Sequence, residues 1–172
     1  MSTPQLTDEL TGAFTRSFLD DALTKLFAAS GIARRGVLIL LDIDKFAALN
    51  EEKGRSSGDL LLTAVRERIG RIVGVDDIVA RYGADAFGVL CSGATADYGA
   101  ALAQRFRARV ADIPFEITQQ RRDSYFFTVS VGVASFPAVS ILSPGHLCAA
   151  AEQALARAKS EGGNRVRAAA SA

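Results

Sequence analysis

Apolar residues recur at helical spacing between Phe14 and Ala28, where Phe14, Phe18, Leu19, Ala22, Leu23, Leu26 and Phe27 share one face before Gly31 ends the pattern. The spacing predicts an amphipathic first helix. Gly36-Val-Leu-Ile-Leu-Leu-Asp42 then runs apolar over strand length, the pattern of a central strand buried on both faces, and it ends in acids. Asp44 stands where an N-cap accepts backbone N–H bonds, which predicts a helix through roughly Asn50. Leu61, Leu62, Val65 and Ile69 define a second helix from Gly58 to about Val73. Asp77 to Tyr82 and Phe87 to Ser92 are strand-like and flank Gly83-Ala84-Asp85-Ala86, which predicts a hairpin with those residues at its tip. A helix from about Ala96 to Ala111 follows, then strands near Phe115 to Thr118 and from Tyr125 to Phe136. A helix from about Pro144 to Lys159 and a terminal strand near Arg165 complete the pattern. Helices separate most strands, yet one pair is a tight hairpin. The fold class expected is therefore α+β, an α/β sandwich whose central, mostly antiparallel five-stranded sheet is flanked by helices.

Composition narrows this picture. A chain of 172 residues, 49% hydrophobic, closes a single core, so one domain over 1–172 is expected. The longest apolar run, Gly36 to Leu41, falls far short of the roughly 20 residues of a membrane-spanning helix. The N-terminus lacks a basic-then-apolar leader, so a cytoplasmic location with no membrane partner is expected. Twenty basic against nineteen acidic residues give no bulk attraction to nucleic acid, and Arg105, Arg107 and Arg109 read as a solvated helix face. Cys91 and Cys148 lie in apolar surroundings without metal-ligand spacing and read as buried thiols. His146, the only histidine, has no partners for a nucleophilic or metal constellation. Phe126, Phe127, Phe136 and the Tyr82/Phe87 pair read as core.

The candidate chemistry lies in two acids, Asp42 at the end of the buried strand and Asp85 at the hairpin tip. With the hairpin beside that strand, their carboxylates converge into a hard oxygen site suited to Mg²⁺ or Mn²⁺. Alone, each is more simply a strand-end cap or a turn residue. The surrounding motifs reverse that balance.

Arg81-Tyr-Gly-Ala-Asp-Ala-Phe87 resembles the GGDEF signature of diguanylate cyclases, with Ala84 for the second Gly and Ala86 for the Glu. Asp8-Glu-Leu-Thr-Gly-Ala-Phe-Thr-Arg16 is similar to that family's DxLTGxxxR opening, and Leu41-Asp-Ile-Asp-Lys-Phe46 to its LDIDxF strand end. Asn50, Gly54, Gly58 and Asp59 match N…G…GD, Thr128-Val-Ser-Val-Gly132 matches TVSxG, and Ala154-Leu155 with Ala158-Lys159 matches ALxxAK. The resemblance covers about residues 8–166, in the family's order, and implies a nucleotide-cyclase or palm-like fold.

It also implies a metal held by Asp42, Asp85 and the backbone carbonyl of Ile43, and guanine recognition by Asn50 and Asp59. A carboxylate accepts from guanine N1–H and N2–H₂. Phosphate contacts are implied from Lys159, from Gly83 and from backbone N–H groups around Phe46 at a helix start. Asp8 and Arg16 are implied to pair nearby.

The departures set the functional expectation. Ala86 removes one acid of the catalytic pair, a loss that for general acid–base groups costs about 10²–10⁴ in rate. Ala84 puts a Cβ where backbone approaches phosphate or takes positive φ, and Gly163 replaces the phosphate-binding Arg of the GRN that follows the last helix. At the product-inhibition RxxD, Asp77 is retained but the Arg is Gly74, with Arg71 three residues early. Cyclic di-GMP is therefore not expected at that inhibitory site. The expected protein is a degenerate, catalytically impaired GGDEF domain, a GTP-binding or protein-interaction module of cyclic di-GMP signalling with a protein partner. One alternative is an active cyclase joining two GTP, each 3′-hydroxyl attacking the opposing α-phosphate, with Asp85 catalytic and two domains face to face as in a homodimer. The other is a ligand-free scaffold. No dimerising coiled coil is expected ahead of Asp8.

Overall fold

The computed structural model describes residues 5–31, 34–116 and 124–170. Helix α1 (Arg16–Ala28) begins where the Thr15 hydroxyl accepts the Phe18 N–H. It leads to β1 (Gly36–Ile43), every residue of which is buried. Helices α2 (Phe46–Lys53) and α3 (Arg55–Gly70) follow back to back, then β2 (Ile78–Arg81) and β3 (Ala86–Ser92) form the hairpin. Helix α4 (Ala96–Ala111), β4 (Val129–Phe136), α5 (Pro144–Ser160) and β5 (Val166–Ala168) complete the fold. No helix among the described residues is long and apolar enough to cross a membrane.

The sheet has the order β2-β3-β1-β4-β5, antiparallel except for the parallel β4–β5 pair at one edge. β1 is central, so its continuous apolar run follows from burial on both faces. Its odd-numbered residues, Val37 to Ile43, join Phe46, Leu61, Val65, Leu102 and Phe106 in a core under α2, α3 and α4. Leu38 and Leu40 pack with Leu19, Leu23 and Leu147 under α1 and α5. Asp42 continues this second face where the apolar residues run out.

Several expected boundaries shift. α1 starts at Arg16, α3 starts three residues before Gly58, and β4 begins at Val129 rather than Tyr125. Phe115 and Tyr125 make only an isolated bridge, and the rest of the strand expected through Thr118 lies outside the described residues. Asp44 does not cap α2. The N-cap is Lys45, in the left-handed region at φ 60° without a side-chain capping bond. Asp44 is drawn across to β4 instead, where its carboxylate accepts from the hydroxyls of Thr128 (2.5 Å) and Ser130 (2.6 Å) and from the Asn164 N–H (2.9 Å). Phe87 and Phe136 are core as expected, but Phe126 is 66% exposed.

Candidate functional site

The hairpin tip is fastened to the end of β1. Ala86 lies directly opposite Asp42 in the β1–β3 ladder, and the Ile43 N–H donates to the Asp85 carbonyl at 3.1 Å. Directly paired residues project to the same face. Ala86 thus puts a methyl beside the Asp42 carboxylate, where the family signature carries its Glu. Arg81 holds the turn from behind: its Nε donates to the Gly83 carbonyl at 2.7 Å and its Nη2 to the Ala84 carbonyl. Its Nη1 lies 3.6 Å from Asp8. Ala84 is not among the positive-φ residues, so its Cβ is carried without backbone strain.

Asp42, Ile43, Asp85, Phe46, Ala47, Lys159 and Gly163 line one open cleft of about 580 Å³, a volume typical of small-molecule sites. Lys159 reaches it from the last turn of α5, with Nζ 2.7 Å from Asp42 Oδ2. Gly132 of β4 makes this reach geometrically available, because a Cβ there would stand 2.3 Å from the Ala151 carbonyl and 2.4 Å from the Leu155 N. Only glycine lets α5 lie this close to the sheet. Burial pushes the Asp42 carboxyl above its ordinary value; Lys159 opposes the shift, and the neighbouring carboxylates of Asp85 and Asp44 add to it. Asp44 also lines the cleft but spends its oxygens on the three donors described above.

Asn50 and Asp59 do not line this cleft. Asn50 sits against α3 with its Oδ1 buried and without a hydrogen-bond partner, and a Cβ on Gly58 would come within 2.0 Å of that oxygen. Gly58 inside a helix, where glycine costs about 1 kcal/mol, is explained by this close approach. Asp59 is exposed one residue further on. The expected Asp8–Arg16 pair does not form: Arg16 bonds Asp20 at 3.0 Å and stacks 3.7 Å over the Tyr82 ring, leaving Asp8 to Arg81 and to the Thr11 hydroxyl. Tyr82 in turn donates to Glu152 of α5 at 2.6 Å, a link that sequence reasoning missed because the partners lie 70 residues apart. Asp77 accepts the Gly74 N–H at 2.8 Å, closing its own turn.

A central sheet with a signature hairpin beside its middle strand, helices on both faces and an acidic cleft at the strand end defines a nucleotide-cyclase-like α+β domain. The family description "Diguanylate cyclase, GGDEF domain" matches residues 5–165. This chain belongs to the GGDEF family. It is 34% identical over 161 residues to the uncharacterized protein YhcK of Bacillus subtilis (strain 168), covering 92% of this chain and 44% of that protein. It is 32% identical over 163 residues to the probable diguanylate cyclase DgcT of Escherichia coli (strain K12), covering 92% of this chain and 34% of the relative. The chain therefore spans less than half the length of these curated relatives. The crystal structure of the GGDEF domain of DgcB from Caulobacter crescentus in complex with c-di-GMP superposes with a TM-score of 0.88 at 28% identity, covering 98% of each chain.

Proposed function

We infer that this domain binds GTP with a divalent ion and regulates cyclic di-GMP signalling through a protein partner, with its own cyclase chemistry impaired. The observation that carries this reading is the Asp42–Ala86 pair: the carboxylate survives on β1 while the position directly opposite it holds a methyl. Among the described residues no group of three His, Cys, Asp or Glu side chains is placed to hold a metal ion.

The donors present fit a single hard cation. Asp42, Asp85 and the Ile43 carbonyl supply oxygen only, the chemistry of Mg²⁺ or Mn²⁺ sites. Such an ion, when bound, neutralises triphosphate charge and polarises a phosphoryl oxygen. The protein's own part is to bind and orient. The α2 start, without a side-chain cap and with Phe46 and Ala47 on the cleft, offers backbone N–H groups to phosphate. The unpaired Asn50 oxygen is a buried acceptor that a ligand N–H would satisfy, a gap otherwise worth about 1–3 kcal/mol. Asp59 beside it supplies a carboxylate for the guanine edge. Gly163 and Gly74 withhold two phosphate-seeking arginines, so the reading does not place cyclic di-GMP at the inhibitory position.

Calorimetry with GTP and Mg²⁺, together with chromatography for cyclic di-GMP, tests this. Mg²⁺-dependent GTP binding is expected, weakened at least tenfold in Asp59→Ala, with no product formed. Appreciable cyclic di-GMP, or no GTP binding at all, would overturn it; the former restores the active cyclase and the latter the scaffold.

A further inference from the structure

We propose that Lys159 is a built-in cation of the acidic cleft. Its ammonium holds Asp42 until nucleotide phosphate draws it away, so a divalent ion enters together with the nucleotide and not before it. The inference rests on reading the cleft as a metal–nucleotide site, and it adds an order of binding to that reading.

One of the two carboxylate oxygens of Asp42 is already engaged. Nζ of Lys159 lies 2.7 Å from Asp42 Oδ2, with the Asp42 side chain 12% exposed and that of Lys159 46% exposed. The lysine thus reaches in from the rim over a buried acid. An ammonium and a divalent ion at the same oxygen repel each other as like charges at contact distance. The charge balance points the same way. Asp44 is committed to Thr128, Ser130 and Asn164, and Ala86 brings no acid, so Asp42 and Asp85 are the carboxylates left to face a cation. The Lys159 ammonium cancels half of their charge, and Lys45, which lines the same cleft, adds a second positive charge. What remains is a poor site for a bare 2+ ion, which ordinarily takes several anionic oxygens.

The same ammonium is free to move to a better partner. Lysine is a point charge on a flexible stem, and the triphosphate that would seat at the α2 start brings several anionic oxygens within its reach. Transfer of Lys159 to phosphate bares Asp42 at the moment the nucleotide contributes oxygens of its own.

The experiment is a Mn²⁺ titration of the intact chain, followed by electron paramagnetic resonance of the free ion, on wild type, Lys159→Gln and Lys159→Arg. It is run without nucleotide and then with a non-hydrolysable GTP analogue. Without nucleotide, Lys159→Gln is expected to bind Mn²⁺ at least tenfold more tightly than wild type, and Lys159→Arg, which keeps the charge, to stay with wild type. With the analogue, the wild-type site fills, read as Mn²⁺ bound beyond what the same analogue takes up without protein. Equal nucleotide-free affinity in wild type and Lys159→Gln overturns the proposal while the metal reading stands if the analogue still recruits Mn²⁺. No Mn²⁺ binding by any variant under either condition overturns both. If Lys159→Gln does not fold, tight Mn²⁺ binding by nucleotide-free wild type is itself the contrary result.

Discussion

Gly163 shows how much a single position can commit. Its backbone takes φ 72°, and an ideal Cβ would lie 3.0 Å from Asp44 Oδ1. Asp44 occupies that space because it accepts the neighbouring Asn164 N–H. Returning the family arginine by Gly163→Arg therefore places a side chain in the left-handed region and against a carboxylate that is already satisfied. We expect a cost of about 1–2 kcal/mol, seen as a fall of about 2–8 °C in the thermal midpoint by circular dichroism. A midpoint unchanged or raised would contradict this. The missing arginine was legible in the sequence. That its place had been taken by the Asp44 tie was not, because the tie joins residues 120 apart.

Helix α5 carries this lesson to a whole element. Its start at Pro144 and its end near Lys159 were readable from the apolar spacing, and so was the buried run of β1. The distance between α5 and the sheet was not readable, since it depends on Gly132 meeting the Ala151 carbonyl and Leu155 across the β4 surface. Gly132→Ala forces a Cβ into backbone atoms that cannot rotate away. It should cost about 1–3 kcal/mol, measurable by urea unfolding, and should also loosen the Lys159–Asp42 contact. The start of α2 failed for a related reason. A local capping rule places Asp44 on its own helix, but the hydroxyls of Thr128, just before β4, and Ser130, on it, made the stronger claim on the carboxylate, and the helix cap falls instead at Lys45 in a left-handed conformation. Short-range rules lose where a tertiary partner offers a charge-assisted bond.

Across the molecule, the sheet divides the interior into two cores, and Cys91 belongs to the one beneath α3 and α4. Burial pushes its thiol well above the ordinary range, and Asp77 adds to the shift. Its reactivity therefore reports on the opening of that core. In a Cys148→Ser background, which removes the half-buried second thiol, Cys91 should resist Ellman's reagent in the native protein. It should become reactive only through the denaturant range where the far-ultraviolet signal is lost. Reaction well before that range would mean that β3 opens on its own. The architecture was legible because a strand buried on both faces and a hairpin flanked by helices leave few alternatives. The candidate residues were legible in the sequence, since the motifs stand in order. Its arrangement was not: one cleft holds Asp42, Asp85 and Lys159, while Asn50 and Asp59 stand apart from it along α2 and α3.

The clasp of Arg81 on the hairpin tip separates form from identity. It grips the carbonyls of Gly83 and Ala84, groups that every amino acid possesses, and it is itself steadied by Asp8. The turn therefore keeps its outline whatever side chains stand at 84 and 86. Ala84 sits there without a positive φ, and glycine at 84 or glutamate at 86 would leave the same two carbonyls for Arg81 to grip. A tip held in this way separates the path of the backbone from the side chains displayed at 84 and 86.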